Sequence, residues 1–442
     1  ASILARSLSY VDLDKASKAD VEMMRRLVVE FSDELAALGV KVDTFDGRLG
    51  VLESDLGGWK LSGVFEFNAK FGQNGDYGDV DDQGSFSGLD GKTDFDIDKY
   101  RIFLDKRIND TTSFHARIGK GTIGGHSDND PAFVWEFYYI TTKLGYDITL
   151  DAGRFEYNWE DALGLVADDD VFVGKVRAQQ FRFSKDWGLA NLQFVLGRVN
   201  DDAKPFGSTP KYDYAYESLL VAGLADFTFN EKLQAGLMAY YTWSDQSFDS
   251  AGLDADLTEL DLGVYAKLNI IPSVEMKGVY YYQDRETATV SDNFSAWKGI
   301  LTADQDLLRF TDLQIEYAQI DNLFRLWKDP YDSIGNDILS NRPYGDDSSA
   351  TQVIGVRAAQ KWGESRWDSW VRYYRASYDV DNIADAQDFG LGIGYQLNPA
   401  VHFELAADYI DFGNANGGTN GNGSGNYYDE DIVVRFQTVV NF

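Results

Sequence analysis

From Trp59 to Phe442 the chain repeats one device, a run of about ten residues in which apolar and polar side chains alternate with period two. Trp59, Leu61, Gly63, Phe65, Phe67, Ala69 and Phe71 alternate with Lys60, Ser62, Val64, Glu66, Asn68 and Lys70. Leu260, Leu262, Val264, Ala266 and Leu268 alternate with Glu259, Asp261, Gly263, Tyr265 and Lys267. The last run sets Ile432, Val434, Phe436, Thr438, Val440 and Phe442 against Val433, Arg435, Gln437, Val439 and Asn441. A strand of that length, tilted, crosses a bilayer. Its connections alternate too. Leu144-Gly145, Asp186-Trp187-Gly188, Asn230-Glu231-Lys232, Pro272-Ser273, Gly363-Glu364 and Asn398-Pro399 are short, whereas 72–94, 158–176, 201–213, 322–350 and 412–428 are long and polar. Short turns at one rim and long loops at the other are the layout of an outer-membrane barrel. The expected fold is an all-β transmembrane β-barrel of 16–18 antiparallel strands; the lower count follows if two weak runs around 294–321 merge.

A soluble sandwich or propeller would also alternate. Such a chain would need several domains or a blade repeat, and residues 59–442 show neither a linker nor a composition break nor a repeat. Aromatics stand at run ends (Trp59, Phe71, Tyr157, Trp362, Trp367, Tyr409, Phe442), where interfacial girdles belong. The balance of 40 Lys+Arg against 72 Asp+Glu gives a net charge of −32, which argues against a nucleic-acid partner. The absence of Cys removes disulfides, thiolate catalysis and Cys-based zinc sites. No apolar run reaches the length of a helical span, about 18 residues. The start, Ala1-Ser2-Ile3-Leu4-Ala5-Arg6, lacks the basic and apolar regions of a signal peptide, which is expected of a processed chain.

Residues 18–56 follow a different period. Val21, Val28, Leu35, Val42 and Leu49 recur every seventh position, and Met24, Phe31, Leu38, Phe45 and Leu52 follow each by three. An unbroken a/d register over five heptads predicts an α-helical coiled coil about 54 Å long. Lys41 at g faces Asp46 at e of a parallel neighbour, and Arg48 faces Glu53. Bulky Phe31 and Phe45 at d suit a three-stranded core. The alternative is one amphipathic helix packed on its own domain. Gly39, Gly47 and Gly50 weaken the distal half.

The barrel segment, with Phe442 closing the last strand like an assembly signal, resembles the general porins, which are trimers. The N-terminal stretch Ile3-Leu4-Ala5-Arg6-Ser7-Leu8, followed by Ala16-Ser17-Lys18-Ala19-Asp20-Val21 and the coil, is similar to the junction in the OmpM-like S-layer-homology porins of diderm Firmicutes. The resemblance implies a homotrimer whose stalk stands in the periplasm, an outer membrane of lipid and lipopolysaccharide around the barrel, and a tether to peptidoglycan through a domain not present in this chain. Residues 1–17 are then the tail of an S-layer-homology-like region and its linker, 18–56 the trimeric coiled-coil stalk, and 59–442 the porin barrel. The Thr-Arg-Ala-Glu-type motif of that domain is absent, so no peptidoglycan-binding residue is carried over.

If apolar residues face lipid, their neighbours line a lumen. The expected basic ladder there is Arg101, Arg117, Arg182, Arg357, Arg372 and Arg435, with Arg154 joining only if the alternation slips at Gly153. The third long loop lies where general porins fold a loop into the channel. Its Leu163, Leu165 and Val166 would pack on a wall while Glu160, Asp161, Asp168, Asp169 and Asp170 face the gap. Acids opposite an Arg ladder set a transverse field that orients polar solutes. In the alternative the acids are solvated and each Arg pairs with a wall carboxylate such as Asp105, Glu404 or Asp408. No cofactor is expected. The loop Asp76-Tyr77-Gly78-Asp79-Val80-Asp81-Asp82 offers oxygens for Ca²⁺ but lacks ordered EF-hand spacing, and a solvated loop explains it as well.

The leading functional expectation is passive diffusion of ions and small hydrophilic solutes. A substrate-specific pore, for sugars, would use the lumen aromatics Tyr265, Tyr281 and Tyr374. A structural anchor would need no open path. A barrel enzyme is disfavoured, since the three His (His115, His126, His402) form no catalytic arrangement that spacing reveals.

Overall fold

A strand with one face in lipid can satisfy its backbone only through its neighbours, so the alternating runs must close into a ring. In the computed structural model they do. It describes residues 59–72, 93–120, 133–157, 172–173, 176–199, 218–247, 254–286, 291–309, 311–326, 331–333, 336–337, 351–378, 384–411 and 430–442. The predicted stalk with its core from Val21 to Leu52, the acids Glu160, Asp161 and Asp168–Asp170, and the Asp76–Asp82 loop lie outside the described residues.

The strands are β1 (Trp59–Gly72), β2 (Thr93–Arg107), β3 (Thr112–Lys120), β4 (Phe133–Lys143), β5 (Thr149–Tyr157), β6 (Val176–Asp186), β7 (Ala190–Val199), β8 (Ser218–Thr228), β9 (Leu233–Ser247) and β10 (Asp254–Ile271). They continue as β11 (Val274–Glu286), β12 (Ser291–Ala303), β13 (Asp312–Ile320), the small hairpin β14 (Asp332–Ser333) and β15 (Asn336–Asp337), β16 (Thr351–Lys361), β17 (Trp367–Tyr378), β18 (Ala386–Asn398), β19 (Val401–Asp411) and β20 (Glu430–Asn441). Apart from the hairpin, each pairs antiparallel with the next, and β20 pairs with β1 to close an 18-stranded sheet. The two weak runs are separate strands, β12 and β13, joined by one helical turn at Gln305–Leu308. The higher strand count therefore holds.

The seam runs from Val64 opposite Asn441 to Gly72 opposite Val433, and Phe442 extends it by one more pair. Gly63 N–H donates to the Phe442 carbonyl at 2.7 Å, and Phe442 N–H donates back to Gly63 O at 3.0 Å. The Phe442 ring occupies the space that a Cβ at Gly63 would fill. That contact requires glycine at the seam.

Two faces result. Leu237, Val264 and Phe389 on the outer face are 57%, 48% and 43% exposed, a pattern that only a lipid surround makes favourable. Their inward neighbours Met238 and Tyr265 are buried. Aromatics stand at the short-turn rim, with Trp59 edge-on to Phe114 and Trp367 against Tyr395. Phe71 against Phe95 belongs to the opposite rim.

Candidate functional site

The lumen is divided into two unlike halves. Along β7–β16 the inward residues are mostly apolar: Val195, Leu220, Ala222, Leu224, Tyr240, Tyr265, Val279, Tyr281, Ala296 and Val353 are all buried. An apolar wall facing water would be costly, and other parts of the chain cover it. Phe172 and Val173, from the connection after β5, are buried against it, with the Phe172 ring 5.8 Å from Tyr281 and 6.5 Å from Phe324. Phe324 and Tyr331, from the connection after β13, complete the cover. Tyr331 Oη donates to Glu316 at 2.7 Å, and its ring packs on Tyr374.

Several charges of this half are buried in pairs, while the Lys267–Glu275–Lys277 cluster near the short-turn rim stays partly exposed. Lys298 Nζ lies 3.7 Å from Glu316, with side-chain exposures of 1% and 4%, and sits over the Phe172 ring at 4.8 Å. Glu259 holds Arg325 at 2.6 Å and Arg285 at 3.2 Å. Asp261 accepts from Gln283 at 2.7 Å. Tyr265 and Tyr281 are therefore packing residues rather than a sugar path, which corrects that expectation.

The other half, β17–β20 continuing through β1 to β6, is built from ion pairs in which Arg372, Arg435, Arg182, Arg101 and Lys99 are partly exposed and Arg117 is buried. Arg372 reaches Asp408 at 2.7 Å and Asp388 at 3.3 Å; both acids are buried and the guanidinium is not. Arg435 pairs with Glu404 at 2.7 Å, and Trp370 Nε1 donates to the other oxygen of Glu404 at 2.9 Å. Arg182 donates through Nε and Nη2 to Asp151, both at 2.8 Å, while Thr141 holds the second Asp151 oxygen. Lys99 pairs with Glu66 at 3.1 Å. The tightest group stands where β4 and β5 stop pairing beyond Tyr138 and Arg154. There Arg117 contacts Glu136 and stacks on Phe137 at 3.6 Å, Arg101 lies 3.6 Å from Glu136, and Glu156 bridges Arg117 at 3.8 Å and Arg177 at 3.9 Å.

The expected ladder thus divides. Arg101, Arg117, Arg182, Arg372 and Arg435 share the inward row of the open half, and each is paired with a wall carboxylate. Arg357, on β16 where the two halves meet, is inward beside Arg372 of β17 and exposed, with no ion pair among the described residues. Arg154 is different. The alternation does not slip at Gly153: Arg154 stands opposite Tyr138 and Gln179, both exposed on the outer face, and its Nε donates to the Glu136 carbonyl at 3.4 Å. Gly153 has φ 143°, and a Cβ there would meet the Tyr138 carbonyl. Asp105 does not pair with an Arg. It accepts from His115 Nδ1 at 2.6 Å, and His115 Nε2 meets Ser113 Oγ at 2.8 Å.

Glu136, Asp151, Glu156, Arg177, Lys298, Arg325 and Phe172 escaped sequence reasoning. Glu136 is inward because a bulge opposes both it and Phe137 to Arg117, which alternation alone cannot show. Phe172-Val173 carried a usable signal, an apolar pair directly after an acidic stretch. Among the described residues no group of three His, Cys, Asp or Glu could hold a metal, and no helix is long and apolar enough to cross a membrane.

No family model and no curated protein matches the chain. Solved structures do. OccK11 (OpdR) of Pseudomonas aeruginosa aligns over 87% of this chain and 96% of its own, with a TM-score of 0.54 and 9% identity. OpdQ of the same organism aligns over 87% and 98%, with a TM-score of 0.52 and 11% identity. OccK3 (OpdO) gives 87% and 96%, 0.52 and 11%. The chain has the fold of an outer-membrane β-barrel. At such identities the likeness is one of fold.

Proposed function

We propose that the chain is a passive diffusion channel of the porin type, carrying ions and small hydrophilic solutes along the β17–β6 side of its lumen. The observation that supports this is the division of the interior. One half is packed with protein, and the other carries a row of charged pairs in which Arg101, Arg182, Arg372 and Arg435 keep partly exposed guanidinium groups. Such a row offers a polar solute replacement hydrogen bonds at each step and offers an apolar one nothing. The acids Glu160, Asp161 and Asp168–Asp170 would narrow the path from the third long loop, whose end at Phe172 is anchored inside.

The finer reading extends outside the described residues. The heptads of 18–56 would join three chains, the stalk would stand in the periplasm, and kinship to the OmpM-like S-layer-homology porins would tether the membrane to peptidoglycan through a domain beyond this chain. Single-channel recording of purified protein in a planar bilayer is the test. Ohmic currents closing in three equal steps are expected. Folded protein that conducts nothing would leave the anchor role instead.

One observation favours a second reading. Ser113, His115 and Asp105 form a nucleophile–base–acid chain with both hydrogen bonds at catalytic length. A fluorophosphonate probe decides it: labelling at Ser113 that His115→Ala abolishes would establish a hydrolytic site, and an unlabelled Ser113 would make the chain a structural ladder of the lumen wall.

A further inference from the structure

The lipid-facing wall is not uniformly convex. Across β6–β11 it carries an apolar groove of about 840 Å³. Its floor is made of small outward residues, Gly223, Ala225 and Ala239, and its sides include Phe183, Phe194 and Leu237. It runs from Lys185 and Trp187 at the short-turn rim to Val264, Tyr280 and Tyr282 higher on the wall. Gly223 has no positive φ, and a Cβ there would meet nothing nearer than the Gln193 carbonyl at 3.9 Å. Neither backbone geometry nor close packing requires a glycine at that position, unlike Gly63 or Gly153. What its small size provides is the hollow.

The rim end has the opposite character. Lys185 Nζ donates to the Tyr146 carbonyl at 2.5 Å and stands 5.6 Å over the Trp187 ring, which is largely exposed. An ammonium has three donors, so two remain. The adjacent Asp186 carboxylate is taken up within the turn, accepting from Gly188 N–H at 2.6 Å. A Lys–Trp pair at this level sits among headgroups.

We propose that this groove is a specific site for an anionic phospholipid of the periplasmic leaflet, its headgroup on Lys185 and an acyl chain along the Gly223–Ala225–Ala239 floor. The volume falls within the usual range of small-ligand sites, roughly 300–1,000 Å³. A shallow apolar depression, open to the bilayer and ending at a cation, matches a chain with a negative head. A second barrel would present a convex wall, which leaves such a hollow empty. The site is independent of the pore, so its failure and the failure of the channel reading are separable.

The test uses the full chain, exchanged into mixed phosphatidylglycerol–phosphatidylcholine vesicles, extracted, and assayed for retained lipid by native mass spectrometry. Wild type should retain phosphatidylglycerol over phosphatidylcholine. Lys185→Gln should lower that preference roughly fivefold, the worth of one interfacial Lys. Gly223→Trp should abolish retention of either lipid, with conductance unchanged. Ala239→Leu serves the same purpose if Gly223→Trp does not fold, as judged by heat-modifiable electrophoretic migration. Equal retention by filled and unfilled grooves would overturn the proposal. So would dissociation of an oligomer by the filling variants, which would make the groove a contact between copies.

Discussion

The same alternating strands build both halves of the lumen, yet the halves solve opposite problems. In the half formed by β7–β16, Lys298 and Glu316 are withdrawn from water together, and Phe172, Phe324 and Tyr331 seal them in. In the half formed by β17–β20 and β1–β6, the acids Asp388 and Asp408 are buried but their partner Arg372 keeps 19% of its side chain exposed. The Lys298–Glu316 pair is sealed in protein, whereas the Arg372 pair keeps its cation at the lumen surface. Period-two patterning is blind to this difference, because it depends on what lies above the wall.

The comparison is broken most severely at the buried pair. Glu316→Ala removes the carboxylate 3.7 Å from the Lys298 ammonium in a sealed interior, and with it the oxygen that accepts from Tyr331 Oη. The expected loss is about 3–5 kcal/mol, against less for a pair that keeps contact with water. Urea unfolding followed by electrophoretic mobility checks it, with Lys99→Ala as the control in the open half. Similar midpoints for the two would mean that the halves do not differ as described.

Phe172→Ala comes next. Phe→Ala in a packed core costs roughly 3–5 kcal/mol, but here the lost contacts are those between a connection and the wall. Part of that cost should therefore appear as release of the segment rather than as unfolding. Conductance should rise while the barrel's resistance to denaturation falls only modestly. A barrel that unfolds with no change in conductance would place Phe172 in the framework instead.

Much of the barrel was legible in the sequence. Trp59–Phe71 and Ile432–Phe442 alternate cleanly because one face meets lipid and the other meets polar lumen. The runs that became β12 and β13 read weakly for a physical reason. Phe294, Ala296 and Ile300 point into the sealed half with Lys298 the one charge among them, while Trp297 and Leu301 point to lipid, so the contrast between the faces is small and the period fades. The inward row of Arg residues could be phased, but its partners could not. Glu136 depends on a bulge, and Glu404 and Arg435 meet only through the pairing of β19 with β20.

The smallest expected effect is the most informative about the open half. Arg372→Gln removes one guanidinium and leaves Asp388 and Asp408 facing each other's charge. Some stability should be lost, but because Arg372 borders the lumen, water and cations can replace it. Its signature is therefore electrical: the reversal potential in a salt gradient should move toward cation preference. Arg357→Gln, which removes an exposed guanidinium without unpairing any described carboxylate, should shift the potential in the same direction with no loss of stability. If neither variant moves the potential, solutes do not pass this row, and the conducting path must run elsewhere in the barrel.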